Sequence, residues 1–157
     1  MTPRPEPRPY DRDLHARLIE RLERALARDA PADWRRIDLK IRMTGEVSDV
    51  ALTVVLKTGA VPPVEPSGEL TEIAAELRSI MYRPGEGTWF GMRFMMDPPD
   101  TRWPDPHWVS YNRAFDPLWD PPLPREEWER DLAAFPRTGE HVPRWLRDRL
   151  QGPVHGQ

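Results

Sequence analysis

Between Asp97 and Asp120 the chain carries five aspartates, Asp97, Asp100, Asp105, Asp116 and Asp120, with His107 among them. Carboxylate oxygens and an imidazole nitrogen are the donors that hold a divalent cation, so a metal-dependent hydrolase using Asp97, Asp100, Asp105 and His107 is one reading. The spacing does not favour it. The acids follow no calcium-loop pattern, and no histidine pair stands one helical turn apart. Each of these aspartates adjoins a proline, where a short carboxylate commonly closes a turn on its own backbone.

Nucleophilic chemistry finds less support. The chain has no cysteine, which excludes thiolate catalysis, disulfides and zinc-thiolate sites. Ser48, Ser67, Ser79 and Ser110 lie in no G-x-S-x-G elbow, and His15, His107, His141 and His155 have no acid at a telling spacing. The P-G-E-G run at residues 84–87 lacks a lysine and leads towards a strand, so it reads as a turn and not as a phosphate loop. No catalytic set emerges, and no cofactor is expected.

Binding is the better reading of the same stretch. Trp103, Phe115 and Trp119 sit in proline-rich connectors that regular structure cannot occupy, among five aspartates and only the two arginines Arg102 and Arg113. Prolines reduce the entropy lost on binding, aromatic rings bury area, and carboxylates match a cationic cleft. The expected partner-binding set is therefore Asp97, Asp100, Trp103, Asp105, Phe115, Asp116, Trp119 and Asp120.

The elements that must position these connectors are legible in the periodicity. Leu14, Leu18, Leu22, Ala25 and Leu26 recur at helical spacing up to Ala30-Pro31, which predicts an amphipathic helix from Asp11 to Asp29. Ile37, Leu39, Ile41 and Met43 alternate with polar residues, and V-A-L-T-V-V-L-K follows a turn at Gly45, so the two runs predict a hairpin. A second helix is expected over Glu69–Tyr82, capped by Ser67, then a strand in T-W-F-G-M-R-F-M-M and another in H-W-V-S-Y-N-R. The aromatics on these strands, Trp108 and Tyr111 included, are expected in the core. A helix with Trp128, Leu132 and Phe135 on its buried stripe follows Pro124, and a last short one follows Pro143. The fold class expected is α+β: two layers, an antiparallel sheet of about four strands with helices packed on one face.

At 157 residues a single domain is expected over residues 11–150, with a disordered Pro-rich segment at 1–10 and a loose tail at 151–157. The N-terminal M-T-P-R-P-E-P-R-P-Y has no apolar run of the kind a leader or anchor needs, so a cytoplasmic location is expected, without membrane contact. A formal charge of -3 from 26 acids and 23 bases does not suggest a nucleic-acid binder.

These features resemble a known group. The N-terminal amphipathic helix, the early W-R-R-I-D-L-K strand, W-V-S-Y-N-R-A-F-D-P leading to an acidic helix, and F-P-R-T-G-E-H-V-P-R-W-L together look like the immunity proteins of bacterial polymorphic toxins. The nearest set is the YezG-like group, with the actinobacterial factors that neutralise necrotizing-type NAD glycohydrolase toxins. The resemblance covers residues 11–150. It implies a small non-catalytic antitoxin, monomeric when free, that binds one cognate toxin domain and occludes its active site. A nuclease toxin is an alternative target, because a basic substrate groove would also welcome an acidic plug. A non-catalytic adaptor for another protein is the alternative function.

Overall fold

The computed structural model describes residues 5–152. Its elements are α1 (Arg12–Asp29), β1 (Trp34–Met43), β2 (Ser48–Leu56), α2 (Gly68–Ile80), β3 (Gly91–Met96), β4 (His107–Asn112), α3 (Arg125–Ala134), a 3-10 turn (Gly139–His141) and α4 (Arg144–Gln151). The strands form one antiparallel sheet in the order β2-β1-β3-β4. The chain is thus an α+β fold, as the periodicity predicts. Among the described residues no helix is long and apolar enough to cross a membrane.

Local chemistry accounts for the boundaries. Asp11 caps α1, its side chain accepting from the Leu14 amide at 3.0 Å, and the helix ends where Ala30 turns extended before Pro31. Ser67 takes the N-cap position of α2 but makes no capping hydrogen bond with its side chain. On β1, Ile37, Leu39, Ile41 and Met43 are buried, and on β3 Met92, Phe94 and Met96. These side chains meet Leu18, Leu22 and Leu26 of α1 and Leu70, Ile73 and Leu77 of α2 in one apolar cluster. The alternate residues, Asp38, Lys40, Arg42, Arg93, Met95 and Trp108, belong to the opposite face of the sheet.

The helices serve two apolar clusters. α3 and α4 contribute Trp128 and Leu146 to a second cluster around Phe90, with Trp119, Leu123, Leu132, Val142 and Trp145 packed against it. The strand expected from Thr88 starts only at Gly91. Neighbouring Trp89 and Phe90 are both buried, one in each cluster, and this division holds the chain out of regular alternation there.

The two clusters are tied by a buried ion pair. Arg78 of α2 donates to both carboxylate oxygens of Asp131 of α3, at 2.7 and 2.8 Å, and through Nε to the Trp89 carbonyl at 2.8 Å. Asp131 also accepts from the Gly45 amide at 2.8 Å. One carboxylate thus holds together α2, α3 and the turn between β1 and β2.

Of the segment expected to be loose at the start, residues 1–4 lie outside the described residues; Pro5 to Tyr10 form no helix or strand. The Arg8 amide donates to the Ser79 carbonyl at 3.1 Å, and Tyr10 meets His15 at 3.1 Å. Residues 153–157 of the expected tail are outside the described residues as well.

Candidate partner-binding surface

β4 is an edge strand, paired with β3 alone. Tyr111, on its inner side, packs against the main cluster and beside Trp89, and burial pushes its phenol up to about 12. The chain then leaves the sheet in a loop built almost wholly by hydrogen bonds to main-chain groups. Asn112 Oδ1 accepts from the amides of Ala114 and Phe115 at 3.2 and 2.8 Å, while its Nδ2 donates to the Phe115 carbonyl at 2.8 Å. Trp145 Nε1 donates to the Ala114 carbonyl at 2.7 Å. Asp116 accepts from the Leu118 amide at 2.9 Å and pairs with Arg149 at 3.1 Å.

Two arginines secure the base of this loop by donating to main-chain carbonyls. Arg113 donates to the carbonyls of Gly87 and Met81 at 3.1 and 2.8 Å. Arg137 donates to the carbonyls of Thr88 and Arg113 at 2.8 Å and of His141 at 3.0 Å, with its guanidinium 4.4 Å from the Phe90 ring centroid. Burial lowers the pKa of both, that of Arg137 to about 10, so Arg137 remains charged at neutral pH.

On this base the loop displays apolar side chains. Phe115 is 77% exposed and Leu118 70%, the latter held at a φ of 57°. Trp103 in the β3-β4 connector is 59% exposed and Trp108 on β4 is 49%. Trp108 departs from its expected place in the core: it stands opposite Met95 on the face away from α1 and α2, with the Arg36 guanidinium 5.7 Å from its ring. Its odd spacing from Tyr111 carries that signal, because odd offsets on a strand point to opposite faces.

The structure divides the expected partner-binding residues between two places and two roles. Asp97, Asp100, Trp103 and Asp105 precede β4, whereas Phe115, Asp116, Trp119 and Asp120 follow it, about 20 Å along the strand. Asp97 is held by Arg36 in a fork of 2.8 and 2.9 Å. Asp100 closes a turn on the amides of Arg102 and Trp103, and Asp105 meets His107 at 3.2 Å. With Asp116 on Arg149, four of the five aspartates are engaged inside the molecule. Asp120 is exposed.

Trp119 is packed, not presented as expected. It lies against the second cluster with the Arg42 guanidinium 5.3 Å from its ring centroid, and its indole Nε1 is buried with no hydrogen-bond partner among the described residues. The left-handed turn at Leu118 lets the two adjacent side chains point apart, leucine outward and tryptophan inward.

Beside the loop the sheet forms an open groove of about 480 Å³, lined by Lys40, Arg42, Gly91, Arg93, Ser110 and Asn112 among others. Arg93 is forked onto Asp38 at 3.2 and 2.8 Å, and Arg42 is paired with Asp49 at 2.6 Å. Lys40 has no partner among the described residues. Next to the apolar loop, the uncommitted charge of the groove is therefore a cation, opposite in sign to the acidic plug the sequence suggests. Compared with known proteins, the chain matches no family model, and no curated protein is significantly similar to it.

Proposed function

We propose that the chain is an immunity protein, which binds a cognate bacterial toxin domain and occludes its active site. The observation that carries the reading is the loop after β4: a segment fixed by Asn112, Arg113, Arg137 and Trp145 that leaves Phe115 and Leu118 in solvent. A rigid loop bearing exposed apolar side chains loses little entropy on binding and buries its area against a partner. Trp103 and Trp108 extend the same exposed apolar character along the edge strand.

The resemblance to toxin immunity proteins supplies the kind of partner, with an NAD glycohydrolase as the first target to examine. The nuclease alternative rests on an acidic plug; with Asp97, Asp100, Asp105 and Asp116 engaged internally, apolar contact carries more of the reading than charge does. The test is co-expression with the toxin domain encoded by the adjacent gene. Growth should be rescued and a stoichiometric complex should elute, both weakened by Phe115→Ala with Leu118→Ala. A toxin that stays lethal and forms no complex would sink the reading in favour of an adaptor for another protein.

A further inference from the structure

Of the four metal donors the sequence offers, Asp97, Asp100, Asp105 and His107, the structure keeps two and adds a third from elsewhere. Asp97 and Asp100 are turned to Arg36 and to turn amides, while Asp105 and His107 meet Glu23 of α1. Glu23 is about one helical turn from both Ile19 and Leu26, at the border of the stripe that α1 lays on the sheet, which explains how a carboxylate reaches β4.

The geometry is that of a ligand set. His107 Nδ1 lies 3.1 Å from Glu23 Oε1 and 3.2 Å from Asp105 Oδ1, and one donor atom from each of the three residues falls within 4.8 Å of the others. Bonds of about 2.0 to 2.1 Å at a tetrahedral centre place neighbouring donors about 3.3 Å apart. Phe94 stacks on the His107 ring at 5.5 Å and 16°, fixing its plane. Nδ1 can carry only one proton, and its hydrogen bond goes to Asp105. Glu23 Oε1 is shielded from solvent and, 3.1 Å from His107 Nδ1, accepts no other hydrogen bond among the described residues.

We propose that Glu23, Asp105 and His107 form a binding site for one divalent first-row transition ion, zinc foremost, with the remaining positions left to water. An imidazole beside two carboxylates suits zinc, nickel or cobalt better than magnesium or calcium. A divalent ion there would neutralise the two carboxylates that meet at His107 Nδ1, 3.1 Å from Glu23 Oε1 and 3.2 Å from Asp105 Oδ1. The bound ion joins α1 to the start of β4 and so braces the connector that carries Trp103. Such a site does not depend on what the chain's protein partner is.

The experiment is calorimetric titration of the chelator-treated full chain with zinc chloride near pH 7, in two buffers of different ionisation enthalpy. One ion should bind per chain with release of about one proton, and the thermal midpoint should rise with zinc. Glu23→Gln and His107→Gln should each weaken binding at least tenfold, and His141→Gln, remote from the cluster, should leave it unchanged. Should His107→Gln fold poorly without its ring on Phe94, Glu23→Gln still decides, since it removes one ligand charge and leaves the Phe94–His107 stack in place. Absence of binding up to millimolar zinc, or binding undiminished by Glu23→Gln, overturns the site.

Discussion

Arg78 and Asp131 face each other in a two-bonded pair at 2.7 and 2.8 Å, their side chains only 2% and 4% exposed. The pair is also capped on both sides: Arg78 by the Trp89 carbonyl and the Phe135 ring, Asp131 by the Gly45 amide. Removing one partner strands a buried charge. Asp131→Ala should therefore destabilise the fold by about 3 to 5 kcal/mol in urea denaturation, whereas replacing both residues by apolar ones of matching volume should cost much less. Equal losses in the single and double variants would contradict this account of the pair.

Gly87 is the most closely approached of the described glycines. Its φ is 93°, and a Cβ built there would lie 2.1 Å from Arg137 Nε. The guanidinium could swing away from such a contact only by releasing its bonds to Thr88, Arg113 and His141. Gly87→Ala should cost about 2 kcal/mol, combining left-handed strain with broken, partly buried hydrogen bonds. Gly59 shares the positive φ, but a Cβ there would meet nothing within 4 Å, so Gly59→Ala should cost only about 1 kcal/mol. Urea denaturation of the two variants side by side checks the difference.

Phe115 and Trp119 should separate binding from stability. Phe115→Ala and Leu118→Ala remove exposed side chains, so each should move stability by no more than about 0.5 kcal/mol. On the proposed function the double variant should lose about 2 kcal/mol of affinity for the partner, roughly thirtyfold. Trp119→Ala should do the reverse and lower the melting temperature first, because its ring packs on the second cluster. Thermal midpoints and binding constants of the three variants, measured side by side, check the division.

Glu23 makes stability fall as pH rises. Its carboxyl is raised from 4.5 to about 7, so the folded state holds the proton more tightly than the unfolded chain does. That contribution is present in full below about pH 4.5 and is lost as pH climbs through about 7. Asp105, His107 and Glu20 face the same carboxyl. In the presence of a chelator, Glu23→Gln should flatten the stability profile between about pH 5 and 8, a range set around the raised value. An unchanged profile in urea denaturation would place the pH dependence elsewhere.

The fold was legible where one side chain answers to one surface. Ile37, Leu39 and Ile41 alternate on β1 and Leu18, Leu22 and Leu26 recur on α1, and both sets enter the core. Trp89 and Phe90 escaped the pattern because adjacent residues serve two clusters, so alternation could not describe them. The candidate surface was half legible. Proline and aspartate marked its loops, yet whether Trp119 or Leu118 faces solvent depends on one left-handed residue that has no sequence signature in a leucine. Glu23 was hidden for another reason: it lies 82 residues before Asp105, and only packing brings them together.

Asn112, Arg137 and Trp145 hold the loop after β4 by its carbonyls, those of Phe115, Arg113 and Ala114. A carbonyl is present whatever side chain the residue carries. The scaffold is therefore indifferent to the identity of residues such as Ala114 and Phe115, and the displayed positions can change while the frame beneath them stays the same. A lineage of such chains can exchange one contact surface for another without refolding.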